Sequence, residues 1–178
     1  MSEQWGHENR DDLAGEHRFG DAGQLILLIT FLAVWVLDSF IFRYSIFVVQ
    51  YISSYIRIIT GVALLIMSLF LVREGMRIVF GEKREKPAVI TEGVFGRMRH
   101  PLYLGSILFY VGLWSFTLSL FSALLIVIIV GFYHFIARYE EKLLVAKFGE
   151  EYERYIRSVP MWIPCLWARN NSRRDREA

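Results

Sequence analysis

The sequence predicts an all-α integral membrane protein: a polytopic bundle of about four transmembrane helices, the last two forming a helical hairpin, followed by a C-terminal amphipathic helix in the cytoplasm. Three observations predict it. Hydrophobic residues make up 54% of the 178, an excess for a soluble domain of this length. Long apolar stretches reach the ~20 residues that a hydrocarbon core of roughly 30 Å requires. Lysines and arginines fall unevenly between those stretches, as they do in spanning proteins.

Residues 1–21 hold six acids and no apolar periodicity, and are expected to be a polar, mobile N-terminus. They lack the basic start and short apolar run of a cleavable signal peptide, so the first span is expected to persist. That span is Ala22–Phe42, with Asp38 near its far end. A second is Tyr55–Val72, opened by Arg57, whose long side chain can reach the interface. From Pro101 to Ala137 there are 37 residues without Asp, Glu, Lys or Arg, a rod of roughly 55 Å if straight. Such a rod overshoots the bilayer, so a hairpin is predicted. Its arms lie near 102–115 and 119–138, and its turn in "WSFTLS", Trp114–Ser119, where hydroxyls can satisfy the backbone.

After the hairpin, Leu144, Phe148, Tyr152, Ile156 and Val159 recur at spacings of three or four among charges. This predicts one amphipathic helix over 140–159, lying along the membrane or beneath the bundle. Residues 22–164 are thus read as the membrane domain and 165–178 as a charged tail. The loop from Arg73 to Arg99 carries seven lysines and arginines, and Arg138 to Arg176 nine, against Arg43 alone in the first connector, with Arg57 at its edge. Both termini and both basic regions are therefore expected in the cytoplasm.

Composition and motifs exclude several classes. With 20 lysines and arginines against 18 acids, net charge gives no argument for a nucleic-acid partner, and nothing marks an obligate protein partner. The one cysteine, Cys165, permits neither an intrachain disulfide nor a cysteine metal cage. No metal ligand set is predicted. There is no G-x-G turn, P-loop, G-x-S-x-G elbow or H-E-x-x-H.

The chemistry is therefore sought at the cytoplasmic membrane edge. In "RMRHPLYLG", Arg97, Arg99 and His100 precede Pro101, a proline suited to the first turn of a helix, so polar groups collect at that helix's N-terminus. On charge alone they serve equally as a positive-inside anchor. Glu140 and Glu141 close the hairpin on the side where His100 opens it, either as an ion-pair lock or as half of a ligand site. His134, within the last span and on one helix face with Arg138 and Glu141, is either a structural hydrogen-bonding group or a functional one. The other histidines, His7 and His17, lie in the polar N-terminus.

"TEGVFGRMRHPLYLG", Thr91 to Gly105, followed by "EEKLLVAKFGEEYERYIRSVPMWIP", Glu140 to Pro164, resembles the membrane methyltransferases that include isoprenylcysteine carboxyl methyltransferases and phospholipid N-methyltransferases. The likeness covers residues 87–164. It implies packed transmembrane helices whose C-terminal half holds S-adenosylmethionine near the cytoplasmic edge. It also implies methyl transfer to a lipid or other amphipathic small-molecule acceptor, with membrane lipids around it. Carried over residue by residue, the cofactor-binding positions are Pro87, Ala88, Val89, Ile90, Phe95, His100, Pro101, Leu102, Tyr103 and Glu140. Arg138, Arg99 and His134 are the candidates for acting on the reacting groups. Phe95 stands where the family usually has tyrosine, and Ile136 where isoprenylcysteine enzymes carry the arginine that meets the substrate carboxylate. A non-catalytic membrane scaffold, or an NADPH-dependent enzyme of the sterol-reductase type, are the alternatives.

Overall fold

The computed structural model describes residues 18–81 and 88–163, with side chains from residue 22 onward. Within these residues the chain is helical: α1 (Arg18–Val36), α2 (Ser54–Phe80), α3 (Pro101–Thr117), α4 (Leu120–Phe148) and α5 (Glu150–Ser158). His7, His17, Pro87, Pro164 and Cys165 lie outside the described residues. So do the body of the polar N-terminus and the charged tail.

Ala22–Phe42, Ser54–Phe80 and Leu120–Phe148 are long and apolar enough to cross a membrane. At 17 residues α3 is the short member, about 25 Å long at 1.5 Å per residue. Large apolar side chains point outward along the bundle, among them Leu25, Ile29, Ile59, Leu69, Leu124 and Phe135. In water that surface would be untenable, whereas in lipid it is ordinary. The chain is an integral membrane protein.

Glycine spacing explains which helices pack closely. Gly61, Ser68 and Gly75 recur every seven residues on α2, as do Gly105 and Gly112 on α3, and all five are buried. Seven residues are about two turns, so each set forms one face on which backbones can approach. A Cβ on Gly105 would lie 2.8 Å from Val72 Cγ2 and 3.3 Å from the Ser68 carbonyl oxygen. At the same level Ser68 Oγ donates to the Gly105 carbonyl at 2.7 Å. α3 therefore lies along α2 for most of its length and meets α4 much less. Gly105→Ala is expected to destabilise the protein by about 1–3 kcal/mol through overpacking. Gly131→Ala, where a Cβ meets nothing within 4 Å, should be neutral or stabilising by up to about 1 kcal/mol. Thermal unfolding of both variants in detergent checks the contrast.

The hairpin turn is tighter than predicted. It is confined to Leu118, with φ +50°, and Ser119, whose side chain accepts from Ser122 N at 3.1 Å and caps α4. Around it is a buried polar network. Ser119 Oγ donates to Asp38 Oδ2 at 2.6 Å, and Ser45 bonds the same carboxylate through its hydroxyl and, at 3.1 Å, its backbone N–H. Ser45 Oγ in turn accepts from Leu120 N at 2.9 Å. Asp38 sits in a π-helical turn, Leu37–Phe42, that ends α1. Its carboxylate is thus surrounded by donors and by the positive end of α4. Arg57 caps the other helix end at this side by donating to the Phe116 carbonyl.

At the opposite end, the expected single helix over 140–159 is two. α4 runs unbroken through Glu140 and Glu141 to Phe148, and Gly149, at φ +57° and ψ −131°, turns the chain before α5 starts. Only glycine adopts that conformation without strain. α5 is the amphipathic piece. Tyr152 and Tyr155 are buried against Val89, Leu144, Val145 and Phe148, while its acids occupy the first turn and Arg157 the last, in keeping with the helix dipole.

Candidate functional site

The site forms where the chain enters α3, beside the last third of α4. Residues 88–90 lead into a short 3-10 turn, Gly93–Gly96, with Gly93 at φ +55°. Tyr155 of α5 donates to the Phe95 carbonyl at 2.7 Å and so ties this loop to the helix below. Burial pushes the Tyr152 and Tyr155 hydroxyls up from the usual phenol range, and nearby Glu141 and Glu140 push Tyr152 the same way; both tyrosines stay neutral donors. Val159 is buried in the same apolar group as the two tyrosines. Just beyond it, the chain doubles back along the loop. Arg99 N donates to the Pro160 carbonyl at 3.0 Å and His100 N to that of Met161 at 3.4 Å.

These constraints place Arg99 and His100 against both glutamates. Arg99 Nη1 lies 2.7 Å from Glu141 Oε1, and His100 Nε2 lies 3.2 Å from the same oxygen. His100 Nδ1 lies 3.7 Å from Glu140 Oε2. The imidazole thus spans the two carboxylates. Tyr103, one turn into α3, is stacked on His100, with centroids 5.5 Å apart and planes within 5°. It continues to Tyr133 of α4 at 5.5 Å.

The two glutamates occupy different environments. Glu141 is 4% exposed, on the buried stripe of α4 that also includes Ile129, Tyr133 and Ala137. The Glu140 side chain is 29% exposed. A buried carboxylate touching one arginine and one imidazole is a fixed structural charge, whereas a half-exposed one beside stacked rings can take a ligand. Arg99, only 9% exposed, keeps its Nε buried without a hydrogen-bond partner. That atom is a donor still to be satisfied.

The remaining predicted residues are placed as follows. Pro101 is buried at the first position of α3, and Leu102 packs on Gly75 of α2. Ala88 is exposed, while Val89, Ile90 and Phe95 are half-buried. Arg138 is 61% exposed and reaches Glu141 Oε2 only at 3.9 Å. His134 is exposed and meets neither Arg138 nor Glu141; its Nδ1 accepts from Trp162 Nε1 at 3.3 Å. The structure therefore gathers Arg99, His100, Tyr103 and Glu140, and leaves Arg138 and His134 at the margin. It adds Trp162, and it sets Glu141, already singled out with Glu140 in the sequence, against Arg99 and His100. Glu141 is foreshadowed by its four-residue spacing from Ala137, Tyr133 and Ile129, whereas Trp162 has no such signal.

Residues 49–151 match the family described as phospholipid methyltransferase. The chain is 30% identical over 90 residues to the protein-S-isoprenylcysteine O-methyltransferase of Schizosaccharomyces pombe, covering 50% of this chain and 38% of that protein. It is 35% identical over 115 residues to the methanethiol S-methyltransferase of Crocosphaera subtropica, covering 60% and 44%. It is 34% identical over 87 residues to protein-S-isoprenylcysteine O-methyltransferase B of Arabidopsis thaliana, covering 47% and 43%. The chain spans less than half the length of these curated relatives. No solved structure matches it significantly.

Proposed function

Because the chain belongs to the phospholipid methyltransferase family, we propose that it transfers a methyl group from S-adenosylmethionine to a membrane-dissolved or amphipathic small acceptor at the cytoplasmic membrane edge. The observation that carries the proposal is the His100 imidazole held between Glu140 and Glu141 with Tyr103 stacked upon it, inside the matched region. The cytoplasmic orientation rests on the basic loops at this end of the bundle.

The residues fit such a donor. It carries a cation, a carboxylate, a planar base and ribose hydroxyls; the site offers a half-exposed carboxylate, parallel rings and an unsatisfied guanidinium N–H. When bound, S-adenosylmethionine supplies a methyl group whose bond to sulfur breaks, its electron pair staying on sulfur, as the acceptor's lone pair forms the new bond. Glu140 would take the ribose hydroxyls or amino group, and His100 and Tyr103 would fix the other polar groups. Arg99 and Arg97 would neutralise a carboxylate or phosphate. Pro87, Ala88, Val89, Ile90, Phe95, Pro101 and Leu102 would wall the donor, and Arg138 and His134 would meet the acceptor. Orientation is the main catalytic contribution, since an in-line displacement gains most from proximity. A water-poor site adds to it, because charge spreads or cancels on the way to the transition state.

Protein in lipid nanodiscs, given methyl-labelled S-adenosylmethionine with a total lipid extract or small thiols, is expected to place label in an organic-soluble product. Label that stays in the donor with every acceptor overturns the proposal.

A further inference from the structure

We infer that Tyr133 is a positioning residue for the donor site, an inference that rests on the methyl-transfer reading above. Where α3 meets α4, Tyr103, Ser106 and Tyr110 lie at spacings of three and four, so they share one face of α3. Tyr133 of α4 meets all three: its ring lies 5.5 Å from that of Tyr103, and its hydroxyl is hydrogen-bonded to Ser106 and Tyr110. Tyr110 in turn packs edge-to-face on Phe31 of α1, with centroids 4.8 Å apart. Tyr133 is 2% exposed and belongs to the same buried group as Phe31, Tyr110 and Ile129. It is therefore firmly held, and too deep to touch a ligand itself.

Tyr103 is held less firmly. It is half-buried in the first turn of α3, where a long side chain has two common χ1 wells. In the observed arrangement its ring stacks on His100 and its hydroxyl donates to Glu140. A hop of about 120° to the other staggered well takes the ring off His100 and the hydroxyl off Glu140. The same hop loses the ring contact with Tyr133, so the arrangement that builds the donor site is the one that Tyr133 stabilises. Two tasks are thus divided within one side chain: the Tyr133 hydroxyl ties α4 to α3, and its ring keeps Tyr103 competent to bind. Loss of the ring that leaves Tyr103 competent about a third to a tenth of the time lowers donor affinity by the same factor.

Calorimetry with S-adenosylhomocysteine, read beside thermal unfolding in one detergent, tests the division. Tyr133→Leu is expected to weaken binding by about threefold to tenfold, although the exchanged side chain touches no donor. Tyr133→Phe keeps the ring and loses the two hydroxyl bonds, so its thermal stability should fall while its affinity stays within about twofold of wild type. The deciding readout is a double-mutant cycle. Because Tyr133 acts through Tyr103, adding Tyr133→Leu to Tyr103→Leu should change affinity by less than about twofold. A role in packing alone predicts instead that affinity tracks thermal stability in both Tyr133 variants, or that Tyr133→Leu costs as much without Tyr103 as with it. Either result overturns the inference. So does a Tyr133→Leu protein, or Tyr133→Met where leucine fails to fold, that binds as tightly as wild type. A wild type that does not bind S-adenosylhomocysteine, or a Tyr103→Leu protein that binds it as tightly as wild type, overturns the donor-site reading itself, and the positioning role with it.

Discussion

Replacing Glu141 with alanine is expected to cost the protein about 3–5 kcal/mol, enough to remove most folded material from a membrane preparation. The carboxylate is 4% exposed and balances an arginine that is itself 9% exposed, at 2.7 Å, together with the His100 imidazole at 3.2 Å. Without it, Arg99 remains charged and buried with no counter-charge in contact, and a guanidinium cannot escape by losing its proton. Glu141→Gln keeps an acceptor but removes the charge, so a smaller loss of about 1–3 kcal/mol is expected. Removing both charges in Arg99→Met/Glu141→Leu should cost less than the two single changes added together, because neither buried charge is then left alone. Thermal unfolding of Glu141→Ala, Glu141→Gln, the double variant and its two single changes in one detergent checks the order. A Glu141→Ala protein as stable as wild type would show that solvent, not Arg99, balances this carboxylate.

Glu140→Ala is expected to do the opposite: to leave the fold intact and weaken donor binding. Its side chain is 29% exposed, stands 3.7 Å from His100 Nδ1 and accepts a hydrogen bond from Tyr103, contacts whose loss costs about 0.5–1.5 kcal/mol in stability. It is also the carboxylate of the cluster best placed to meet a ligand, since Glu141 is consumed by Arg99 and His100. An interaction of a charged group with ligand hydroxyls is worth about 1.5–3 kcal/mol, so affinity for S-adenosylhomocysteine should fall by about tenfold to a hundredfold. Glu140→Gln, which keeps the acceptor oxygen, should fall less. Calorimetry alongside a thermal scan separates this outcome from unfolding.

The two adjacent glutamates also show how far the sequence could be read. That a hairpin must bring Glu140–Glu141 back to His100 follows from the uncharged run of 37 residues and the thickness of a bilayer. Which glutamate turns inward does not follow from the pair alone, because neighbours on a helix differ by about 100° in direction. The deciding stripe, Ile129, Tyr133, Ala137 and Glu141, was present in the sequence but submerged in an almost wholly apolar segment. In such a segment hydrophobic periodicity loses its contrast. The same uniformity hid the partner of α3: a hairpin suggests α4, yet the seven-residue spacing of Gly61, Ser68 and Gly75 against Gly105 and Gly112 selects α2. Gly149 was legible as a helix stop, and reading through it merged α4 with α5. Trp162 was not legible, since its contacts come from a strap whose position depends on backbone pairing with Arg99 and His100.

The central claim, that the His100, Tyr103 and Glu140 cluster binds a methyl donor, is tested most directly by calorimetric titration of the purified wild-type protein with S-adenosylmethionine, S-adenosylhomocysteine and NADPH. The expected result is saturable binding of the first two and none of NADPH, with affinity falling by about tenfold to a hundredfold in a Glu140→Ala protein that still folds. Binding of NADPH alone, binding of none of the three, or donor binding unaffected by Glu140→Ala would contradict it.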